Sequence, residues 1–356
     1  MDEEKSDYFK GRGAQLNTAN PFSKHAYVQE HYEGLDEPLL SEEQTKIYYE
    51  HPKKIVNRVD SPDVGMMYSL NPYQGCEHGC IYCYARNSHQ YWGFSAGLDF
   101  ERKIIVKPNA PELLEKQLLS KNWKPWPISV SGNTDCYQPL ERKMRITRQL
   151  LEIFLKYRHP VSMITKNSLI LRDIDLLSEL AKLRLVHVMV SITSLREDLR
   201  LKMEPRTATA KNRLKVIEGL SAAGVATGVM TAPIVPGLNS SEIPAIIEAA
   251  ANCGAVSAGY TIVRLNGSIK EIFHDWLYKN FPDAADKVWN HIEEVHGGKV
   301  NDSRWGTRMK GEGKMAESIA QLFKVSVNKH MGGRTSYDYN LEAFSRPSDS
   351  QQISLF

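Results

Sequence analysis

With 356 residues, 42% of them hydrophobic and 24% charged, the chain has the composition of an ordinary globular protein, either one large domain with extensions or two domains. Its net charge of +3 and pI near 8.4 permit an anionic partner without demanding one. Five cysteines without paired spacing argue against a secreted disulfide framework, no apolar run reaches membrane-spanning length, and the acidic start at Met1–Lys10 lacks the apolar core of a signal peptide, so a cytoplasmic protein with no membrane partner is expected.

In chain order, residues 1–63 read as an N-terminal extension. Twelve acidic residues against eight basic ones over residues 1–60, with Pro and Tyr between them, predict an irregular wrap over the core. His25, His31 and His51 lack ligand-like spacing and are expected at the surface. Strand and helix patterns then alternate over residues 64–270. Met67–Leu70 is a short strand, followed by Cys76-Glu77-His78-Gly79-Cys80-Ile81-Tyr82-Cys83. Ile128–Ser131 is a strand and Ile146–Tyr157 a helix with its apolar residues on one face. Strands at Val161–Thr165, Val186–Ile192, Ala226–Ile234 and Val256–Leu265 alternate with helices at Arg172–Leu183, Thr209–Ala223 and from Asn239 or Ser240 to Asn252. Gly224 and Gly254 fit the left-handed residue that ends a helix. Six strands alternating with helices predict an α/β fold with a parallel sheet. Residues 271–335 read as a helical and basic region outside it. Residues 336–356 read as a flexible polar tail.

The spacing C-x3-C-x2-C places three of the five cysteines within eight residues. Three such thiolates can converge on one metal centre, and an iron–sulfur cube normally takes four ligands. One iron would then stay open to something other than cysteine. A zinc site completed by His78 or His89, in a non-catalytic module, is the alternative. Gly75 and Gly79 allow the tight turns that a bulky cofactor needs.

The stretch resembles the cluster loop of radical S-adenosylmethionine (radical SAM) enzymes. With Asn71-Pro72-Tyr73-Gln74-Gly75 before it and Tyr84-Ala85-Arg86 after it, it is similar to the branch that contains spore photoproduct lyase. The resemblance implies an open partial (β/α)6 TIM-like barrel with N- and C-terminal extensions. It implies a [4Fe-4S] cluster on Cys76, Cys80 and Cys83, with S-adenosyl-L-methionine chelated at the open iron. One electron, from a donor such as flavodoxin or ferredoxin, splits the sulfonium, and the resulting 5′-deoxyadenosyl radical abstracts a hydrogen atom.

The resemblance also implies cofactor contacts at Tyr82, at Thr134 and Asp135 after the second strand, and at Lys166 after the third. Ser191 on the fourth strand and Pro233 on the fifth complete the set. Glu204-Pro205-Arg206-Thr207 resembles a Glu-Pro-x-Thr stretch, with Arg206 where the lyases tend to have glycine. The lyases return a hydrogen atom from a cysteine thiol. That position falls at Asn133 here, which makes Cys136 the candidate donor.

Residues 299–335 hold eight basic and three acidic residues, and Arg304-Trp305-Gly306-Thr307-Arg308-Met309-Lys310 interleaves an aromatic with cations. This suits a nucleic-acid partner, a lesion or base. Radical modification of RNA, protein or a small metabolite is the alternative. The final Gln352-Ile353-Ser354-Leu355-Phe356 resembles the peptide by which bacterial repair proteins dock on the sliding clamp, with Leu355 and Phe356 as apolar anchors.

Overall fold

A computed structural model of the chain describes residues 9, 11–22, 45–332 and 337–346. Its strands are β1 (Lys46–Tyr49), β2 (Val56–Arg58), β3 (Tyr68–Leu70), β4 (Tyr73–Gln74), β5 (Lys103–Val106), β6 (Ile128–Val130), β7 (Val161–Thr165), β8 (Val186–Ser191), β9 (Ala226–Ile234) and β10 (Ser257–Ile262). Its helices are α1 (Leu98–Arg102), α2 (Ala110–Leu119), α3 (Glu141–Met144), α4 (Ile146–Lys156), α5 (Ile174–Lys182), α6 (Glu197–Met203), α7 (Ala210–Ala222), α8 (Ile243–Asn252), α9 (Ile269–Asn280), α10 (Ala285–Val295) and α11 (Gly313–Met331).

Local chemistry accounts for the main elements. In β8, Val186, Val188 and Val190 are buried while His187 and Met189 between them are half-buried, the period of two that a strand imposes. Helix α4 buries Leu150, Leu151 and Phe154 along one face. Helix α7 starts where the Thr209 side chain accepts a hydrogen bond from the Asn212 amide, and the chain turns away just beyond it at Gly224, φ 79°. At α8 the expected cap does not form. Asn239 instead accepts from the Val235 amide at 2.7 Å, and the helix opens through a 3-10 turn at Ser240–Glu242.

The main sheet has the order β10-β9-β8-β7-β6-β3-β2. Its six strands from β3 to β10 are parallel, with Leu70 beside Val130, Val130 beside Met163, Thr165 beside Val190 and Ser191 beside Met230. This is the six-unit parallel arrangement expected from the alternation. Strand β2 adds an antiparallel edge next to β3. A second sheet, β1-β5-β4, sits beside the cysteine loop, so the N-terminal extension contributes two strands rather than an irregular wrap alone. These strands of two to four residues are too short to show a period.

Helices α9 and α10 are not detached from the core, because Phe273, Trp276 and Leu277 pack in one apolar cluster with Ile81 and Tyr82. Residues 337–346 differ from the flexible tail expected there. The Tyr337 hydroxyl accepts from the Val186 amide (3.1 Å), the Asn340 amide donates to the Arg184 carbonyl (3.0 Å), and Arg346 donates to the carbonyls of Leu118, Ser120 and Trp123. Backbone partners, which leave no trace in side-chain composition, fix this polar stretch to the amino-terminal side of the sheet. The Gln352–Phe356 peptide lies outside the described residues. Among those described, no helix is long and apolar enough to cross a membrane.

Candidate active site

The parallel strands converge on one cavity of about 440 Å³ at their carboxyl ends, where sites in parallel α/β folds gather. Ser69 on β3, Asn133 after β6, Lys166 after β7, Ser191 on β8, Pro233 on β9 and Arg264 beyond β10 all line it. The loop after β4 brings Cys76, His78, Cys80, Tyr82 and Cys83 to one end of the same cavity.

That loop is held from behind. Gly75 and Gly79 adopt φ of 79° and 69°, which permits the turns on either side of Cys76. The buried Arg86 guanidinium donates to the carbonyls of Cys80 (3.0 Å), Ala96 (3.1 Å) and Gly97 (3.0 Å), and pairs with Glu101 at 2.6 Å. Glu101 also accepts from the amides of Gly13 (3.1 Å) and Ala14 (2.7 Å), which fastens the N-terminal segment over the loop. On the cavity side the Tyr82 hydroxyl donates to Glu204, which also accepts from Thr193 (2.5 Å) and pairs with Arg213. Burial and the Glu204 charge push the Tyr82 phenol well above its usual range, so it acts as a donor.

The expected site residues differ in what their side chains can offer. Asp135 accepts from the Thr165 hydroxyl (2.9 Å) and the Lys166 amide (2.8 Å) and lies 3.4 Å from His78, so it ties two strand ends to the cysteine loop. The Thr134 hydroxyl is already given to the Tyr73 carbonyl at 2.7 Å. The Lys166 ammonium lies 5.9 Å from the centre of the Tyr82 ring. The Ser191 carbonyl accepts from Arg213 at 2.9 Å. Arg206, the departure from the lyase pattern, donates its amide to the His78 carbonyl at 3.2 Å.

Cys136 requires correction as a hydrogen donor. It is fully buried in the main apolar core and does not line the cavity. Ser131 takes a positive φ of 72° and its hydroxyl accepts from the Cys136 amide at 2.8 Å, while the Cys136 side chain packs in the apolar core. Residues 131–135 of this turn all line the cavity, and among them Asn133 has its amide nitrogen on Gln74 (3.0 Å) and Ser88 (3.2 Å).

The cavity also holds lining residues that sequence reasoning missed or left unplaced. Arg264 and Met309 line it, and Arg308 joins them with its guanidinium 3.8 Å from the centre of the Trp305 ring. The Arg304–Lys310 pattern was the signal for the latter pair. Nothing in the sequence singles out Arg264.

The model of the radical SAM superfamily matches residues 70–250, which include the cysteine loop and the parallel strands β6 to β9. The chain belongs to the radical SAM superfamily. An uncharacterized protein of Mycobacterium tuberculosis is 31% identical over 238 residues, covering 66% of this chain and 70% of its own. One of Methanocaldococcus jannaschii is 27% identical over 249 residues, covering 68% and 89%. Among solved structures, spore photoproduct lyase complexed with dinucleoside spore photoproduct has a TM-score of 0.59 at 14% identity, with 81% of this chain and 80% of that one covered.

As a radical SAM enzyme, the protein uses a [4Fe-4S] cluster and S-adenosylmethionine. Its cysteine loop fits that cofactor pair. All five cysteines are free thiols, and the three at the cavity are the three of the C-x3-C-x2-C run. Among the described residues no three His, Cys, Asp or Glu side chains converge on a single ion. In a four-iron cube each thiolate takes its own iron, so its ligands stand wider apart than those of one zinc ion. Of the two candidate zinc partners only His78 lines the cavity. His78 stands between Asp135 and Asn167, and burial lowers its pKa. His89 packs against Phe94 and Phe100 at ring distances of 5.2 and 5.6 Å.

Proposed function

We propose that this radical SAM enzyme abstracts a hydrogen atom from a nucleotide unit of nucleic acid, an intact or damaged base in a repair-type setting. The observation that carries the proposal is the Arg308–Trp305 stack, whose Arg308 lines the same cavity as the three cysteines. Trp305 is 55% exposed and Tyr84, which lines the cavity, 57%. Exposed aromatic faces beside a cation suit a stacked base and its phosphate. Spore photoproduct lyase, which shares the fold, has been solved with a dinucleoside photoproduct, and that ligand class agrees with this reading.

Within the proposal, Cys76, Cys80 and Cys83 would hold the cluster. When bound, the cluster supplies the electron that splits S-adenosylmethionine into methionine and a 5′-deoxyadenosyl radical. Lys166 would attract the cofactor carboxylate through a charge-assisted bond, with Ser191 and the backbone at Pro233 completing the seat. Asp135 fixes the Lys166 backbone and His78 together. Tyr82, tied to Glu204, holds the loop rigid, and the surrounding strand ends keep bulk water from the reacting atoms.

Asn133 faces the cavity where a thiol donor would be needed, and Cys136 does not reach it. This favours modification of a base over reversal of a photodimer. The test is 5′-deoxyadenosine release by the anaerobically reconstituted enzyme, with damaged and intact DNA, RNA, peptides and metabolites offered in turn. Stimulation by a nucleic acid supports the proposal. Stimulation by peptides or metabolites alone overturns it.

A further inference from the structure

The cavity lining contains an arginine without a carboxylate partner among the described residues. Arg308 pairs with Asp63 and donates to the Ser61 hydroxyl at 2.6 Å. Arg304 bridges Asp302 and Glu312 at 2.8 and 2.7 Å. Asp63 further accepts from the Gly306 amide (2.8 Å) and Asp302 from the Thr307 hydroxyl (2.7 Å). The two carboxylates whose charges reach Arg264 are therefore already engaged. Arg264 makes no ion pair among the described residues, and its donors reach only the Asp302 carbonyl at 3.3 Å and the Met309 sulfur at 3.6 Å. Its buried Nε has no partner.

A guanidinium does not give up its proton in a protein. Burial, together with the Arg308 charge, disfavours the charged form of Arg264. An uncompensated, partly desolvated cation of this kind is costly until a ligand supplies the opposite charge. Its surroundings narrow the ligand. Met66 and Met309 line the same cavity, as does Arg308, which stacks on Trp305. A planar apolar group carrying an anion fits there.

We infer that Arg264 receives a phosphate of the nucleic-acid strand next to the reacting nucleotide, and so sets how the strand enters the cavity. The inference rests on the nucleic-acid function proposed above. A fork of guanidinium donors matches two phosphate oxygens at once, which a lysine cannot reproduce.

The experiment measures binding of a fluorescent single-stranded oligonucleotide to the full-length reconstituted enzyme across a salt series, by anisotropy. Wild type is compared with Arg264→Met, Arg264→Gln and Arg264→Lys, each checked for iron content and circular dichroism. Removing the charge should weaken binding about tenfold or more and lower the salt slope by about 0.7, the value for one phosphate on a single strand. Arg264→Lys should recover the slope and part of the affinity. If wild type binds while Arg264→Met and Arg264→Gln bind with the same affinity and slope, the inference is overturned and the nucleic-acid function stands. If wild type binds no oligonucleotide even at low salt, both fall together.

Discussion

The Tyr82 hydroxyl donates to the Glu204 carboxylate across 122 residues of chain. This contact joins the cysteine loop to the end of α6, and Glu204 carries the Arg213 charge on its other side. Removing one member of such a buried pair leaves the other charge uncompensated. Glu204→Gln should therefore destabilise the enzyme by about 3–5 kcal/mol, measured by urea unfolding near neutral pH. Arg213→Met combined with Glu204→Gln should lose less than the sum of the two single changes.

The same pair predicts a pH dependence. Burial alone would raise the Glu204 carboxyl, but the Arg213 and Lys166 charges and its hydrogen bonds outweigh it and hold the group at about 2, below its usual 4.5. A depressed folded-state value stabilises fully above the unfolded value and loses that stabilisation as pH falls toward the folded one. The stability gap between wild type and Glu204→Gln should thus be widest near neutrality. It should shrink below about pH 4.5. A gap independent of pH from neutrality to acid would contradict the pairing.

The cysteines should separate into two classes. Changing Cys76, Cys80 or Cys83 to Ala should bring bound iron well below the roughly four atoms per chain of one cube. Cys136→Ala should keep its iron and its S-adenosylmethionine cleavage, and lose only about 1 kcal/mol of stability from the small cavity it leaves. Iron analysis and 5′-deoxyadenosine release read both.

Gly13 offers a test of the cover over the loop. A Cβ there would collide with the Gly79 carbonyl oxygen, whereas at Gly65 it would meet nothing within 4 Å. Gly13→Ala should displace the N-terminal segment at a cost of about 1–3 kcal/mol and speed loss of the cluster's colour in air. Gly65→Ala should bleach at the wild-type rate.

Trp305 should matter for binding but not for folding. Its indole is 55% exposed, so Trp305→Ala should change stability by no more than about 0.5 kcal/mol. Oligonucleotide affinity should fall by about 1–3 kcal/mol, the contribution of one stacked base. Titrations of both proteins at one salt concentration measure the difference.

The six parallel strands and the cysteine run were legible because both are local. Val186–Ile192 reads as a strand from its own residues, and the cysteines lie within one loop. What stayed hidden depends on distance or orientation. Arg86 finds Glu101, and Arg213 finds Glu204, only after the chain has folded. Arg264 became visible only because the neighbouring carboxylates are engaged elsewhere, a fact about three separate ion pairs. Cys136 misled because it lies three residues from a cavity-facing position, while its own side chain packs in the apolar core. Residues 337–346 misled because their composition is polar while their backbone and side chains bond to distant backbone groups.

The most direct measurement follows the hydrogen atom itself. Nucleic acid deuterated in its bases and sugars is incubated anaerobically with reconstituted enzyme, reductant and unlabelled S-adenosylmethionine, and the 5′-deoxyadenosine is analysed by mass. The proposed function predicts deuterium in the released 5′-deoxyadenosine, and the Arg264 inference predicts its decrease with Arg264→Met at limiting oligonucleotide. Release of 5′-deoxyadenosine that never carries deuterium from any nucleic acid would contradict it.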